Sequence, residues 1–294
     1  MNANPLLVAC LGMFVLTCLD SLIKSLAASF PTVQIVFLRF FFAALMAGSV
    51  AVAMGASLPN SRQMRAHFFR ACLMLVTASA FYYALGKLPL AELFVITFSA
   101  PIFTALFGGL ILKEHVSSRI IGAIAVGFAG MLVMTVDPSK GHLSLAHPPF
   151  ALFCAVVSPI TYALGLVLLR SQATGESGGV IIGVQSAIVA ILSAPLAFSV
   201  HVPPSAFDWG RFVLAGLFGT LGYFCFTYAL KRLTASRFSV IEYTSLVWAA
   251  LFGYLFFNET PRASLWLGAP LIIAGCLLAA RDGHGKAEKP AESG

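Results

Sequence analysis

Charge is what this sequence has least of. Asp, Glu, Lys and Arg make up 10% of its 294 residues, against roughly 25% in an ordinary soluble domain. Hydrophobic residues make up 59%, and the mean hydropathy is +0.93, which excludes a soluble globular chain. Long polar stretches are missing too: no segment between apolar runs exceeds about 14 residues, far short of an independent domain. No Gly-rich loop followed by Lys-Ser or Lys-Thr is present to cradle a nucleotide phosphate, which argues against a single-chain ATP-driven pump. The six cysteines (Cys10, Cys18, Cys72, Cys154, Cys225, Cys276) fall inside apolar runs without paired spacing, so neither a disulfide framework nor a zinc site is indicated. The six histidines (His67, His115, His142, His147, His201, His284) all fall in expected loops or the tail, scattered over both sides. Without a carboxylate cluster, a metal set or an activated nucleophile, the chain does not read as an enzyme, and no metal or cofactor is expected. The net charge of +7 comes from so few groups that their position along the chain says more than their sum, and no nucleic-acid partner is expected. The opening residues MNANPLL lack the positive segment of a cleaved signal peptide, so the first run is expected to remain as a helix.

What is present is apolar helix. Runs bounded by Pro, Gly and charge predict ten membrane helices near 6–26, 33–54, 68–86, 91–112, 119–136, 150–169, 179–199, 211–230, 237–257 and 264–281, so the fold class is all-α integral membrane. Several runs sit at or below the usual spanning length of about 20 residues, which predicts little tilt or a thinned bilayer. With the N-terminus inside, the cytoplasmic segments hold twelve of the eighteen Lys and Arg: Arg62, Arg65, Arg70, Lys113, Arg119, Arg170, Lys231, Arg232, Arg237, Arg281, Lys286 and Lys289. The outer segments hold Lys24, Lys87, Lys140, Arg211 and Arg262, and Arg39 falls inside a run. This bias predicts a plasma-membrane or bacterial inner-membrane protein with both termini in the cytoplasm, and a disordered tail over 282–294.

An internal repeat emerges at a shift of about 145 residues. Tyr83-Ala84-Leu85 falls on Tyr228-Ala229-Leu230, Lys87-Leu88 on Arg232-Leu233, Ala105-Leu106-Phe107-Gly108 on Ala250-Leu251-Phe252-Gly253, Glu114 on Glu259 and Gly130 on Gly275. An odd number of helices separates each residue from its counterpart, so the halves must insert in opposite orientations. The expectation is two inverted five-helix repeats around a central cavity, one over 1–140 and the other over 141–281, with 282–294 left over. Inverted repeats are typical of alternating-access carriers, which place the substrate near the midplane. A channel would instead need a repeated filter of carbonyls or charges, and none is visible.

These residues resemble the drug/metabolite transporter superfamily, specifically its ten-helix EamA-type exporters. The resemblance rests on Ala91 to Glu114 (AELFVITFSAPIFTALFGGLILKE), on Ser236 to Glu259 (SRFSVIEYTSLVWAALFGYLFFNE) and on Phe37-Leu38-Arg39-Phe40-Phe41, and it covers residues 5 to 281. It implies a secondary transporter that moves small metabolites by alternating access, in a branch similar to bacterial exporters of amino acids, aromatic or otherwise neutral. The stretch Glu242-Tyr243-Thr244-Ser245 departs from the commoner Glu-Pro form. Relatives with the Tyr-Thr-Ser form have been given other substrates, so uptake of S-adenosylmethionine or another metabolite is the alternative. The implied partners are a small-molecule substrate and the lipid bilayer, and the architecture is compatible with a monomer.

A charged side chain in hydrocarbon usually faces a partner or a water-filled cavity. Asp20 and Arg39 fall at similar depth on adjacent helices, with Lys24 one turn above Asp20. This cluster reads either as an outer gate that recognises a zwitterion or as a structural ion pair. Glu242 reads either as a site that binds a proton or a substrate ammonium, or as a group tied to Arg237 or to nearby hydroxyls. Tyr82, Tyr83, Tyr162, Tyr223, Tyr228, Tyr243 and Trp248 need polar partners when away from the interfaces, and read as cavity lining or as an aromatic belt. Ser99 and Pro101, and Ser158 and Pro159, mark interruptions of the helical ladder, and Pro195 reads as a packing kink. Gln185 adds a mid-helix amide. Of these, Tyr82, Ser99, Pro101, Ser158, Tyr162, Gln185, Glu242, Tyr243 and Trp248 form the candidate substrate cavity, and Asp20, Lys24 and Arg39 the gate. Two glycine rows, Gly122/Gly127/Gly130 and Gly216/Gly219/Gly222, read as close-packing faces.

Overall fold

The structure is a computed structural model that describes residues 4–57, 59–88, 90–97, 99–113, 116–135, 148–173, 176–234, 238, 241–242 and 244–258, with single positions at 270, 271, 274, 275 and 278. The helices are α1 (Pro5–Ala27), α2 (Thr32–Ala53), α3 (Ser61–Leu85), α4 (Leu90–Thr97), α5 (Ala100–Ile111), α6 (Ser118–Thr135), α7 (Pro149–Ala173), α8 (Gly178–Ser199), α9 (Ala206–Leu230) and α10 (Thr244–Phe257). With α4 and α5 taken as one interrupted span, the described residues hold nine spans. Six of them, α1, α2, α3, α7, α8 and α9, are long and apolar enough to cross a membrane. The expected tenth helix over 264–281 falls outside the described residues apart from those single positions, as does the 282–294 tail. No strand occurs among the described residues, as a hydrocarbon environment requires of a chain that must satisfy its own backbone.

Polar caps set where the helices start. Asn4 accepts from the Leu6 N–H at the head of α1, Ser177 accepts from Val180 N–H at the head of α8, and reciprocal capping boxes join Asn60 to Gln63 and Ser205 to Asp208. Each satisfies N–H groups that the helix cannot pair internally. The Asn60 box starts α3 at Ser61 rather than near residue 68. Its exposed first turns carry Arg62 and Arg65, and the helix runs to 25 residues. The expectation of short spans is therefore corrected for α3 and α9, which run to 25 residues from their capping boxes, and α3 takes in His67, which was expected in a loop.

The first three helices and the later ones interlock. α2 packs most extensively on α8, α1 on α9 and α10, and α7 on α3 and α5. Glycines permit the closest approaches. A Cβ on Gly183 would stand 3.0 Å from the Gly48 nitrogen, and one on Gly216 only 2.4 Å from the Phe42 Cβ. One on Gly222 would meet Leu16 Cδ2 at 2.5 Å. The row Gly216/Gly219/Gly222 is thus a packing face. Gly122 meets none of the described residues, since a Cβ there has nothing among them within 4 Å, and the side-chain surroundings of Gly127 are outside the description. Large apolar residues such as Leu110, Ile191 and Phe207 face outward, as a lipid-exposed surface demands. The two non-glycine residues with left-handed backbone among those described are Lys113 (φ 53°) and Asn258 (φ 58°). They lie one repeat length apart and terminate α5 and α10, a position where that conformation frees the last carbonyls for capping.

Candidate functional site

A central cavity of about 170 Å³ opens between α1, α2, α3, α4, α7 and α9. Its polar lining comprises Thr17, Asp20, Arg39, Thr77, Tyr82, Thr97, Ser158, Tyr162, Tyr223, Glu242 and Ser245, and aromatic and aliphatic groups such as Phe40, Phe81, Met74 and Phe226 fill the rest. The side chains converge because two spans are interrupted at its wall. The expected fourth helix breaks after Thr97. Ser99 donates its hydroxyl to Ile96 O at 2.7 Å, and α5 starts with Pro in its first turn, which removes a backbone donor just where the ladder is already open. In the other half, Glu242 lies in a turn two residues ahead of α10, where the Thr244 and Ser245 hydroxyls donate back to Ile241 O and Glu242 O, both at 2.7 Å. Broken helices of this kind bring backbone and polar groups to a carrier's midplane.

Arg39 is 3% exposed, and its guanidinium lies over the Phe40 ring, 3.9 Å from the centroid. It lies 5.8 Å from the Tyr223 ring. Its Nε has no hydrogen-bond partner. Gly219 makes this placement possible, since a Cβ there would be 2.7 Å from Nη2. Asp20 faces the same cavity, but the two do not close an ion pair on each other. Both charges line the same space. Lys24 joins neither; its ammonium stands 5.1 Å from the Phe257 ring centroid.

Glu242 is 5% exposed. Its Oε1 accepts a hydrogen bond from the Tyr162 hydroxyl, while Oε2 has no partner among the described residues. A buried carboxylate oxygen without a donor is costly, and this one has room for a cation or a proton. Of the other expected cavity residues, Tyr82 and Ser158 line the space and Gln185 sits in crevices beside it. Ser99 is spent on the helix break. Trp248 packs edge-on against Phe14, with centroids 5.0 Å apart, and is not in the lining. Tyr83 packs against Phe150 and Tyr228 under the Arg232 guanidinium. Tyr243, Arg237 and the side chain of Pro101 lie outside the described residues.

The sequence reading missed Thr17, Met74, Thr77 and Ser245, and it misassigned Arg70. That arginine is not a loop charge but sits inside α3 at 2% exposure. A usable signal was present, because lining positions recur at the 145-residue shift: Met13 and Ser158, Thr17 and Tyr162, Ala78 and Tyr223, Phe81 and Phe226, Thr97 and Glu242, Ala100 and Ser245. Projecting Tyr162 and Glu242 back onto the first half would have named Thr17 and Thr97.

No group of His, Cys, Asp and Glu among the described residues is arranged to hold a metal ion, and the five described cysteines are free. The sequence profile of the EamA-like transporter family matches twice, over residues 4–136 and 149–281. The chain belongs to the EamA-like transporter family. This EamA-type chain is an integral membrane protein. It is 26% identical to the S-adenosylmethionine uptake transporter of Rickettsia bellii, over 88% of this chain and 87% of that one. It is 26% identical to the pseudopaline exporter of Pseudomonas aeruginosa, over 96% and 98% of the two chains. A solved crystal structure superposes with a TM-score of 0.76 at 20% sequence identity, covering 94% of this chain and 97% of the other, which shows a shared fold.

Proposed function

We propose that this EamA-type chain is a secondary transporter that exports amino acids, aromatic or otherwise neutral, or similar small metabolites across the bacterial inner membrane by alternating access. The observation that carries the reading is the cavity's charge arrangement. An underused guanidinium at Arg39 shares one space with the carboxylates of Asp20 and Glu242, which complements the carboxylate and ammonium of a zwitterion. The apolar remainder of the wall, with Phe40, Phe81 and Phe226, suits an aromatic or aliphatic side chain. The volume, about 170 Å³, is below the roughly 300 Å³ at which drug-sized pockets begin, and so suits a solute of amino-acid size.

Two inverted halves are part of the proposal. Their support is the doubled family match, the matched packing of α1 on α9 and α10 with that of α7 on α3 and α5, and the recurrence of left-handed backbone at Lys113 and Asn258. On this reading both termini are cytoplasmic, and the outer end is closed by Gln34, whose amide donates to Val202 O at 2.6 Å and accepts from Val202 N–H at 2.8 Å.

One observation favours a second reading, uptake of S-adenosylmethionine or a related metabolite. Two carboxylates against one guanidinium leave room for a further positive charge on the solute, and the Rickettsia relative bears that substrate in its name. The test is counterflow of radiolabelled phenylalanine, threonine, methionine and S-adenosylmethionine in liposomes holding the purified protein, with and without an imposed pH gradient. Saturable exchange of the amino acids supports the proposal, exchange of S-adenosylmethionine alone transfers support to the second reading, and exchange of none by folded protein refutes both.

A further inference from the structure

On the side of the cavity toward the His67–Glu176 hydrogen bond (2.8 Å), a second guanidinium is buried. Arg70 lies ten residues into α3, about 14 Å along the helix from its start. Its Nη2 donates to Gln185 Oε1 and to Ile181 O at 3.3 Å, but Nε and Nη1 have no partner among the described residues. A buried cation with two idle nitrogens is expensive unless something else at times occupies them. Space for one carboxylate oxygen exists, and the rest of the group needs Gln185 to withdraw. A pocket of about 20 Å³ lies against Arg70, with Thr77, Thr161, Tyr162, Gln185 and Tyr223 in its wall, enough for one water-sized group. Tyr223 also lines the central cavity, and its hydroxyl donates to Met74 Sδ at 3.3 Å, a weak bond across the boundary between the two spaces. Gln185 borders a third gap that Arg39 lines as well, so the amide holding Arg70 also stands beside the first guanidinium.

We propose that Arg70 is a second anion site, which takes the carboxylate of the substrate as it passes between the central cavity and the cytoplasmic end, displacing Gln185 as the resident acceptor. That the carboxylate belongs to an amino acid rests on the function proposed above; that Arg70 binds a carboxylate does not. A guanidinium suits the task because its planar fork donates to both carboxylate oxygens at once, a geometry that an ammonium lacks.

Sodium formate, the smallest carboxylate, is the probe, titrated against sodium gluconate at constant ionic strength while thermal unfolding of the full-length protein is followed in detergent. Arg39→Gln is expected to keep a saturable stabilisation by formate, and Arg39→Gln/Arg70→Gln to lose it. If the double variant does not fold, Arg39→Gln/Arg70→Lys replaces it, with the formate midpoint expected to rise at least about three-fold as the fork is lost. Absence of a saturable response in Arg39→Gln overturns the proposal, as does an unchanged midpoint in either double variant. In liposomes, Arg70→Lys is expected to slow phenylalanine counterflow at least about five-fold, because the transit position is weakened; an unchanged rate refutes the transit role. If the wild type exchanges no amino acid while the formate response still depends on Arg70, the amino-acid reading falls and the anion site stands.

Discussion

The two halves of this chain place the same positions at the cavity and fill them with unlike chemistry. Thr17, Ala78, Thr97 and Ala100 line it from the first half, and their counterparts 145 residues later are Tyr162, Tyr223, Glu242 and Ser245. The charges are equally one-sided. Asp20, Arg39 and Arg70 belong to the first half, and the residues 145 positions on are Gly165, Val184 and Ala215. Left-handed backbone recurs at the same shift, at Lys113 and Asn258, which end α5 and α10. A repeated framework gives a carrier two equivalent ways to open. On the proposed amino-acid reading, an asymmetric lining gives the substrate one orientation, with its carboxylate toward Arg39 and its ammonium within reach of Asp20 and Glu242. Small residues of the second half serve large ones of the first: Gly219 and Gly222 leave room for Arg39 and Leu16.

The comparison breaks most severely at Arg39. Arg39→Gln is expected to lower counterflow at least about 30-fold, since a charge-assisted hydrogen bond is worth about 2 kcal/mol. Gly219→Val, which drives a side chain into the guanidinium, should cost about ten-fold while the protein still folds, as judged by size-exclusion profile and helicity. Next is Glu242→Gln, expected to reduce exchange about ten-fold and to flatten its response to an imposed pH gradient, whereas Thr97→Val at the matching position should cost less than about three-fold. Native exchange rates by Glu242→Gln from pH 5 to 8 would remove Glu242 from the mechanism.

Packing offers a smaller contrast. Gly216→Ala and Gly222→Ala place a methyl group 2.4 and 2.5 Å from Phe42 and Leu16, and should each destabilise by about 1–3 kcal/mol. Gly122→Ala, in open space, should change stability by less than about 0.5 kcal/mol. Thermal unfolding in detergent measures all three. Smallest is Gln34→Leu, which removes both bonds to Val202. Its loss should amount to about 1 kcal/mol by the same measurement, because water reaches the freed backbone groups.

Much of this was legible in the sequence because membrane helices are written in runs of apolar residues. The starts of α1, α2 and α8 fall within one residue of expectation, and the break at Ser99 was visible as a Ser-Ala-Pro interruption. The start of α3 was not, because hydropathy ends where Arg62 and Arg65 begin, whereas the helix continues to the cap at Asn60. The same bias hid Arg70: a charge near a run's edge was counted as loop, and nothing local distinguishes it from Arg65, which is exposed. Only the packing of α3 on α7 and α8 buries one and leaves the other in solvent. Asp20 and Arg39 were placed at matching depth correctly, yet depth alone cannot tell a direct ion pair from two groups that face a common cavity. Trp248 was central in its helix, but it turns toward Phe14 on α1, a contact across the chain that spacing does not encode.

The central claim is that the cavity reads both charges of a zwitterion. The most direct test is counterflow of labelled L-phenylalanine in liposomes against excess unlabelled L-phenylalanine, phenethylamine or 3-phenylpropionate, for the wild type. The expected result is exchange driven by L-phenylalanine, with the analogue lacking the carboxylate and the analogue lacking the ammonium each at least about ten-fold weaker, the loss of one charge-assisted contact. Equal exchange with either analogue, or none with L-phenylalanine in folded protein, would contradict it.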